Sequence, residues 1–188
     1  MRPQKLSQAE MLQRSAMLFK IHGYHGTSMD MLAKECGLTK SAFYYYYPNK
    51  NALVLDVVKS VRLFVDKQLF SWVHQKDLLT QARYLKLHET AVIFFTQGVA
   101  GCLMAILGLD LKQQAPEVFQ EIRQFFNEWQ NTMQSLFEEI HDANYATVLA
   151  KQTVADYEGA ILMYRLTDDV FYLDQIKNRV LIQLESVS

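Results

Sequence analysis

Cysteine, proline and glycine are all scarce in this chain of 188 residues, at two, three and seven. Cys36 and Cys102 are too few and too far apart for a disulfide framework or a zinc site. The glycines and prolines fall in no strand-and-turn rhythm, and no Asn-Gly or Asp-Gly hairpin signal occurs, which argues against a sheet protein. The longest near-continuous apolar run, Val99 to Leu109, is too short to span a bilayer and is broken by two glycines, so no membrane partner is expected. No apolar signal-peptide stretch follows Met1-Arg2-Pro3-Gln4-Lys5, and the expectation is a soluble cytoplasmic protein. Also missing are a Gly-x-Ser-x-Gly elbow, a P-loop and a dinucleotide glycine pattern. His22 and His25 are parted by a glycine that breaks helical spacing, and His88-Glu89 lacks the second histidine of a metalloprotease helix. No catalytic residue, no cofactor and no metal are therefore expected.

Half of the chain is apolar, too much for a disordered protein, and the length suits one domain or a small domain fused to a larger one. The apolar residues recur mostly at three- and four-residue spacings, and the fold class is read as all-α with about nine helices. Formal net charge is only −1, but it is unevenly spread. Residues 1–62 hold nine Lys/Arg against four acids, and the remainder ten against sixteen. This asymmetry suggests a basic module that meets a polyanion and an acidic module with another task.

The first helix opens on a capping box, Ser7-Gln8-Ala9-Glu10, with Leu12, Ala16 and Phe19 as its inward stripe and Gly23 as its stop. Thr27-Ser28-Met29-Asp30 offers a second cap, for a helix that runs to Cys36 and ends at Gly37. Thr39 caps a short third helix from Lys40 to about Tyr46, and Pro48-Asn49-Lys50 starts a fourth reaching Trp72. Further helices are expected at roughly 80–97, 101–113, 116–143, 146–166 and 168–185, the last capped by Thr167 with Asp168 and Asp169 favoured by its dipole. Two short helices around a tight glycine turn, with small Ala33 four places before Gly37, form a helix-turn-helix pattern. The run Phe43-Tyr44-Tyr45-Tyr46-Tyr47 cannot all face inward on a helix. Phe43 and Tyr47 share the core face, which leaves Tyr44, Tyr45 and Tyr46 for an outward role suited to phosphate and sugar contact.

Gly23-Tyr24-His25-Gly26-Thr27-Ser28, Leu32-Ala33 and the unbroken stretch from Gly37 through Leu53 resemble the DNA-binding domain of the tetracycline-repressor (TetR) family over about residues 8–55. Ser41 stands where the family usually has Gly, Tyr47 where it has Phe, and Asn51 where it has Glu. The resemblance implies a three-helix DNA-binding head over residues 1–50 and a larger helical ligand-binding and dimerisation domain over 51–188. By it, Thr27 caps the first helix of the motif near a DNA phosphate, and Tyr44, Tyr46 and Lys50 hold the backbone. Thr39, Lys40, Ser41 and Tyr45 face base edges, and Arg2 and Lys5 form a basic arm.

The larger module is rich in aromatics and methionines, most of which serve as plain core. Adjacent pairs such as Phe94-Phe95 and Phe125-Phe126 cannot both face one core, so a second apolar surface, cavity or dimer seam, is expected. Phe64, Phe95, Cys102, Met104, Phe126, Trp129, Met133 and Tyr157 are the candidate lining of a site for an apolar or aromatic effector. Gly159-Ala160 removes bulk from a helix and permits close approach of another. The family resemblance implies a homodimer whose seam includes Gly159, Ala160, Met163 and Tyr164. Gly98-Val99-Ala100-Gly101-Cys102-Leu103 is similar to the family branch that includes an N-ethylmaleimide-responsive repressor. Cys102 is thus either inert packing or a thiol sensor, although no Lys or Arg stands within nine residues of it. The implied function is a homodimeric repressor of a roughly palindromic double-stranded DNA operator, released by a small-molecule effector. A regulator sensing electrophiles through Cys102, and more remotely a helical adaptor or enzyme without DNA function, stand beside it.

Overall fold

The computed structural model describes residues 6–185. Among them are nine α-helices, one short 3-10 helix and no strand. They are α1 (Gln8–His22), α2 (Met29–Glu35), α3 (Lys40–Tyr46), α4 (Lys50–Gln68), the 3-10 turn Phe70–His74, α5 (Thr80–Thr96), α6 (Leu103–Leu111), α7 (Pro116–Phe137), α8 (Ala143–Thr167) and α9 (Phe171–Gln183). The expected basic arm at Arg2 and Lys5 lies outside the described residues.

Local chemistry sets most of these boundaries. Ser7 and Glu10 form both halves of the capping box of α1, each satisfying an N–H of the other. The buried stripe of α1 is Met11, Ser15 and Phe19, not Leu12 and Ala16. The stripe is turned by one residue because Met11 and Phe19 lie two turns apart on the face that meets the rest of the head. α4 ends at Gln68, short of the expected Trp72. A short 3-10 turn takes over there, and Leu69, Phe70 and Val73 are buried. Asp142, whose carboxylate accepts from the N–H groups of Asn144 and Tyr145, starts α8 earlier than the periodicity alone implies. Thr167 does not cap the last helix. It is the final residue of α8 and its hydroxyl donates back to the Met163 carbonyl. Asp168 then takes the left-handed conformation at φ 54°, and the Asp169 carboxylate accepts from Phe171 N–H at 2.9 Å. α8 and α9 thus form an αα-hairpin with a three-residue link.

The chain divides into two compact units. One comprises the residues up to Arg62 together with Leu103–Arg123. In it Phe19, Leu32, Phe43, Leu53, Val54, Val57 and Val58 are fully buried. Asp110 of α6 accepts from the Tyr24 N–H at 2.9 Å, and the Arg62 guanidinium pairs with Glu121 of α7 at 3.1 Å. The other unit comprises Leu63–Cys102 and the residues from Gln124 onward. Its core is ring-rich: Phe70, Tyr84, Phe95, Phe125, Trp129, Phe137 and Tyr157 are each at most 2% exposed. Burying side chains of this size is worth about 1.5–3 kcal/mol apiece.

Candidate nucleic-acid interface and effector core

The head is organised around the turn between α2 and α3. Gly37 has φ 65°; its N–H donates to Lys34 O, and Leu38 N–H donates to Ala33 O, the paired bonds of a Schellman motif. Arg14 reaches across from α1 and donates to Glu35 O at 2.9 Å, satisfying another terminal carbonyl of α2. Thr39 then caps α3 by accepting from Ala42 N–H. On α3, Phe43 and Tyr47 are buried, as the four-residue spacing requires, and Tyr47 donates to Asp56. Tyr44 and Tyr46 are half-exposed, while Tyr45 is 88% exposed and makes an edge-on contact with Tyr46. Thr39, Lys40 and Ser41 are exposed at the start of the same helix, and Lys40 is paired with Asp30 of α2 at 2.8 Å.

Two expected residues serve the turn between α1 and α2. Ser28, not Thr27, caps α2, accepting from Met31 N–H at 3.2 Å. Thr27 is fully buried and its hydroxyl donates to Gly23 O at 2.7 Å. Lys50, the first residue of α4, donates to the carbonyls of Tyr24 and Thr27 at 2.7 and 2.8 Å, and its ammonium lies 4.0 Å from the Tyr24 ring centroid. Burial lowers its pKa. The Tyr24 hydroxyl donates to Asn51, closing the turn against α4. The Tyr24 and Asn51 pairing was not legible beforehand, since it joins positions twenty-seven residues apart.

In the second unit the candidate effector residues separate. Phe95 stacks on Trp129 at 5.5 Å and 11°, and Tyr157 packs on Trp129 at 5.4 Å. Met133 is fully buried. Phe64 is half-exposed and stacks on Phe94, and Phe126 packs edge-on against Phe125. Met104 is buried but belongs to the unit that holds the head. Cys102 is 4% exposed and hydrogen-bonded to the carboxylate of Glu158. The Arg165 guanidinium lies against Gly101, the residue before Cys102, a neighbour that sequence distance concealed. Gly159 is exposed with open space around it, Ala160 is buried within its own subunit, and Met163 and Tyr164 are partly exposed.

Three polar clusters in this core bring together side chains whose pairing the sequence did not show. Tyr157 Oη lies 2.6 Å from His88 Nδ1 and 3.1 Å from Tyr84 Oη, and burial holds His88 down at about 4, so the imidazole is neutral. Buried Arg83 donates to Val73 O and Thr80 and pairs with Glu139, which also pairs with Lys76. These partners hold Glu139 at about 2, against the desolvation that opposes it. Glu158 is pushed up to about 7 by desolvation. A single carboxylate on the inner side of a helix carries no periodic signal that could have singled Glu158 out from its neighbour Asp156.

A capped, outward-facing short helix with exposed tyrosines, set on a Schellman turn in a basic segment, defines a helix-turn-helix DNA-binding protein. Residues 11–57 match the family of bacterial regulatory proteins, tetR family, and residues 89–179 match the C-terminal domain of LmrA/YxaF-like transcriptional regulators. The chain is 22% identical to the HTH-type transcriptional regulator LmrA of Bacillus subtilis over 163 residues, 84% of this chain and 85% of that protein. A TetR transcriptional regulator from Legionella pneumophila shares the fold with a TM-score of 0.88 at 18% identity, over 98% of this chain and 100% of that one. Reduced E. coli NemR does so at 0.78 and 16%, over 90% and 92%. The chain belongs to the TetR family and is a DNA-binding transcriptional regulator.

Proposed function

We propose that the protein is a homodimeric cytoplasmic repressor that leaves a roughly palindromic operator when a small apolar or aromatic effector binds. In this reading residues 1–50 read DNA, and residues 51–188 bind the effector and dimerise. Thr39, Lys40, Ser41 and Tyr45 approach base edges in the major groove, and Tyr44, Tyr46 and Lys50 hold the backbone. Thr27 contributes by locking the turn that Lys50 grips. The observation that carries the reading is that an exposed reading helix and a separate ring-lined apolar core belong to different compact units of one chain. Regulators of this family bind operator DNA and ligands and act as dimers. An effector shifts the equilibrium only as far as it prefers the DNA-incompetent state.

Selection of genome fragments by the purified protein, including DNA flanking its own gene, tests the DNA half of the proposal. Recovery of one palindromic sequence supports it, and recovery of nothing specific by the folded dimer overturns it. Exposure of the operator complex to a panel of neutral, cationic and anionic aromatic compounds tests the effector half. A second reading, covalent sensing through Cys102, draws on the Glu158 carboxylate that stands ready to accept the thiol proton. It requires that Cys102→Ser abolish any electrophile response, and a retained response rejects it.

A further inference from the structure

We propose that Asp30 is a positioning residue for sequence reading: its carboxylate holds the Lys40 ammonium clear of the phosphates and leaves it one N–H for an acceptor on a guanine edge. The proposal rests on the base-reading role given to Lys40 above and specifies how so flexible a side chain carries it out.

Asp30 is the second residue of α2 and Lys40 the first of α3, so the pair ties together the opening turns of the two helices of the motif. Lys40 Nζ lies 2.8 Å from one carboxylate oxygen of Asp30 and 3.1 Å from the other. The two side chains are 61% and 62% exposed, and an ion pair so open to water adds little to stability. A lysine at the first position of a helix also has the wrong sign for the helix dipole. Helix spacing offers Asp30 a partner on its own helix, Lys34 four residues on, yet the carboxylate reaches across the motif to α3. Stability of the fold is therefore a poor account of this lysine. Its place is on the exposed surface of α3, with Ser41, Tyr44 and Tyr45.

A lysine ammonium is a point charge on a flexible four-carbon stem, free to swing to the nearest anion. On DNA that anion is a phosphate, and phosphate contacts carry no sequence information. The Asp30 carboxylate opposes this in two ways. It fixes the ammonium in one place, and its charge offsets the attraction of Lys40 for the backbone. With two of the three N–H donors engaged by the carboxylate oxygens, the third remains for a base. Guanine presents two acceptors in the major groove, O6 and N7, and is the base that a fixed donor favours. A phosphate approaching the pair would meet like charge at Asp30.

Selection from randomised duplexes by the full chain, by Asp30→Asn, by Lys40→Ala and by the double variant tests the proposal, with titrations of unrelated DNA over a range of salt. In the parent, one position of each half-site should prefer guanine, and Asp30→Asn should relax that preference by at least about threefold. The same variant should bind unrelated DNA more tightly, with a salt slope steeper by about one unit, as the freed lysine neutralises a phosphate. Lys40→Ala should abolish the preference, and Asp30→Asn should change it no further in that background. Circular dichroism checks that the variants fold, and Asp30→Ser serves if the amide does not. A lowered Tm with an unchanged base profile would reduce Asp30 to a helix-dipole partner and overturn the proposal. So would a relaxation that persists without Lys40, which would mean that Asp30 acts by another route. A parent profile untouched by Lys40→Ala removes Lys40 as a reader and this proposal with it, while leaving the repressor reading in place. A parent that selects no sequence at all ends both.

Discussion

Lys50 combines two tasks that are separable by experiment. Its ammonium is bound to two carbonyls of the α1–α2 turn, so its removal loosens the turn as well as any phosphate contact. Lys50→Ala is expected to weaken binding to all DNA sequences alike and also to cost about 2 kcal/mol of stability, because charge-assisted hydrogen bonds are lost. A variant with reduced DNA affinity and an unchanged Tm would reduce Lys50 to a phosphate contact alone. Glu139 acts on stability only, by neutralising buried Arg83. Glu139→Gln should cost about 2 kcal/mol, or roughly 4–8 °C in Tm for a chain of this size. Its folded pKa of about 2 lies below the ordinary 4.5, so its contribution is complete above the ordinary value and is lost as pH falls toward 2. The difference in stability between the variant and the parent should therefore shrink over that window in acid denaturation curves.

At the scale of elements, the turns before and after α2 are defended by two glycines for different reasons. At Gly37 nothing lies within 4 Å of an added Cβ, and only the φ of 65° opposes a side chain. Gly37→Ala is expected to cost about 1–2 kcal/mol from left-handed backbone strain alone. At Gly26 a Cβ would sit 2.3 Å from the His22 carbonyl oxygen, a backbone atom that cannot step aside. Gly26→Ala must displace the end of α1 or the start of α2, so it should lose more stability than Gly37→Ala and should lose operator binding with it. Paired thermal melts and DNA titrations check the order of the two effects. α3 shows how an element turns composition into a surface. One face holds Phe43 and Tyr47 in the core, which forces Tyr44, Tyr45 and Tyr46 outward.

At the scale of the whole molecule, α8 carries an extended stripe without charge along its centre. Val148, Gln152, Ala155, Gly159, Leu162 and Leu166 are all exposed, spaced alternately four and three residues apart on one side of α8. Phe171 and Ile182 add exposed apolar area on α9. Such a stripe, apolar and open around Gly159, suits a two-fold pairing with a second copy. Introducing Leu162→Glu with Leu166→Glu should give monomers in sedimentation while leaving the helical signal intact. On the proposed dimeric reading operator affinity should fall with it, because two half-sites would then be bound singly. A double variant that stays dimeric would place the seam elsewhere.

Sequence by itself determined the helical class, the head and much of its punctuation. Capping boxes, a glycine stop and a run of tyrosines act over four or five residues, where chain connectivity alone fixes who meets whom. Ser7-Glu10, Thr39 and the division of the tyrosine run were legible for that reason. The finer choice between Thr27 and Ser28 as cap was not, because both hydroxyls are adjacent and only the packing of the turn buries one of them. Only the tertiary structure decided what Lys50 holds, which carboxylate meets Arg83, and that Glu158 lies against Cys102. It also turned Leu162 and Leu166 outward where Ala160 is buried. These are pairings across tens of residues, and their strength comes from desolvation. Desolvation depends on what covers a group after folding, a quantity no local spacing encodes.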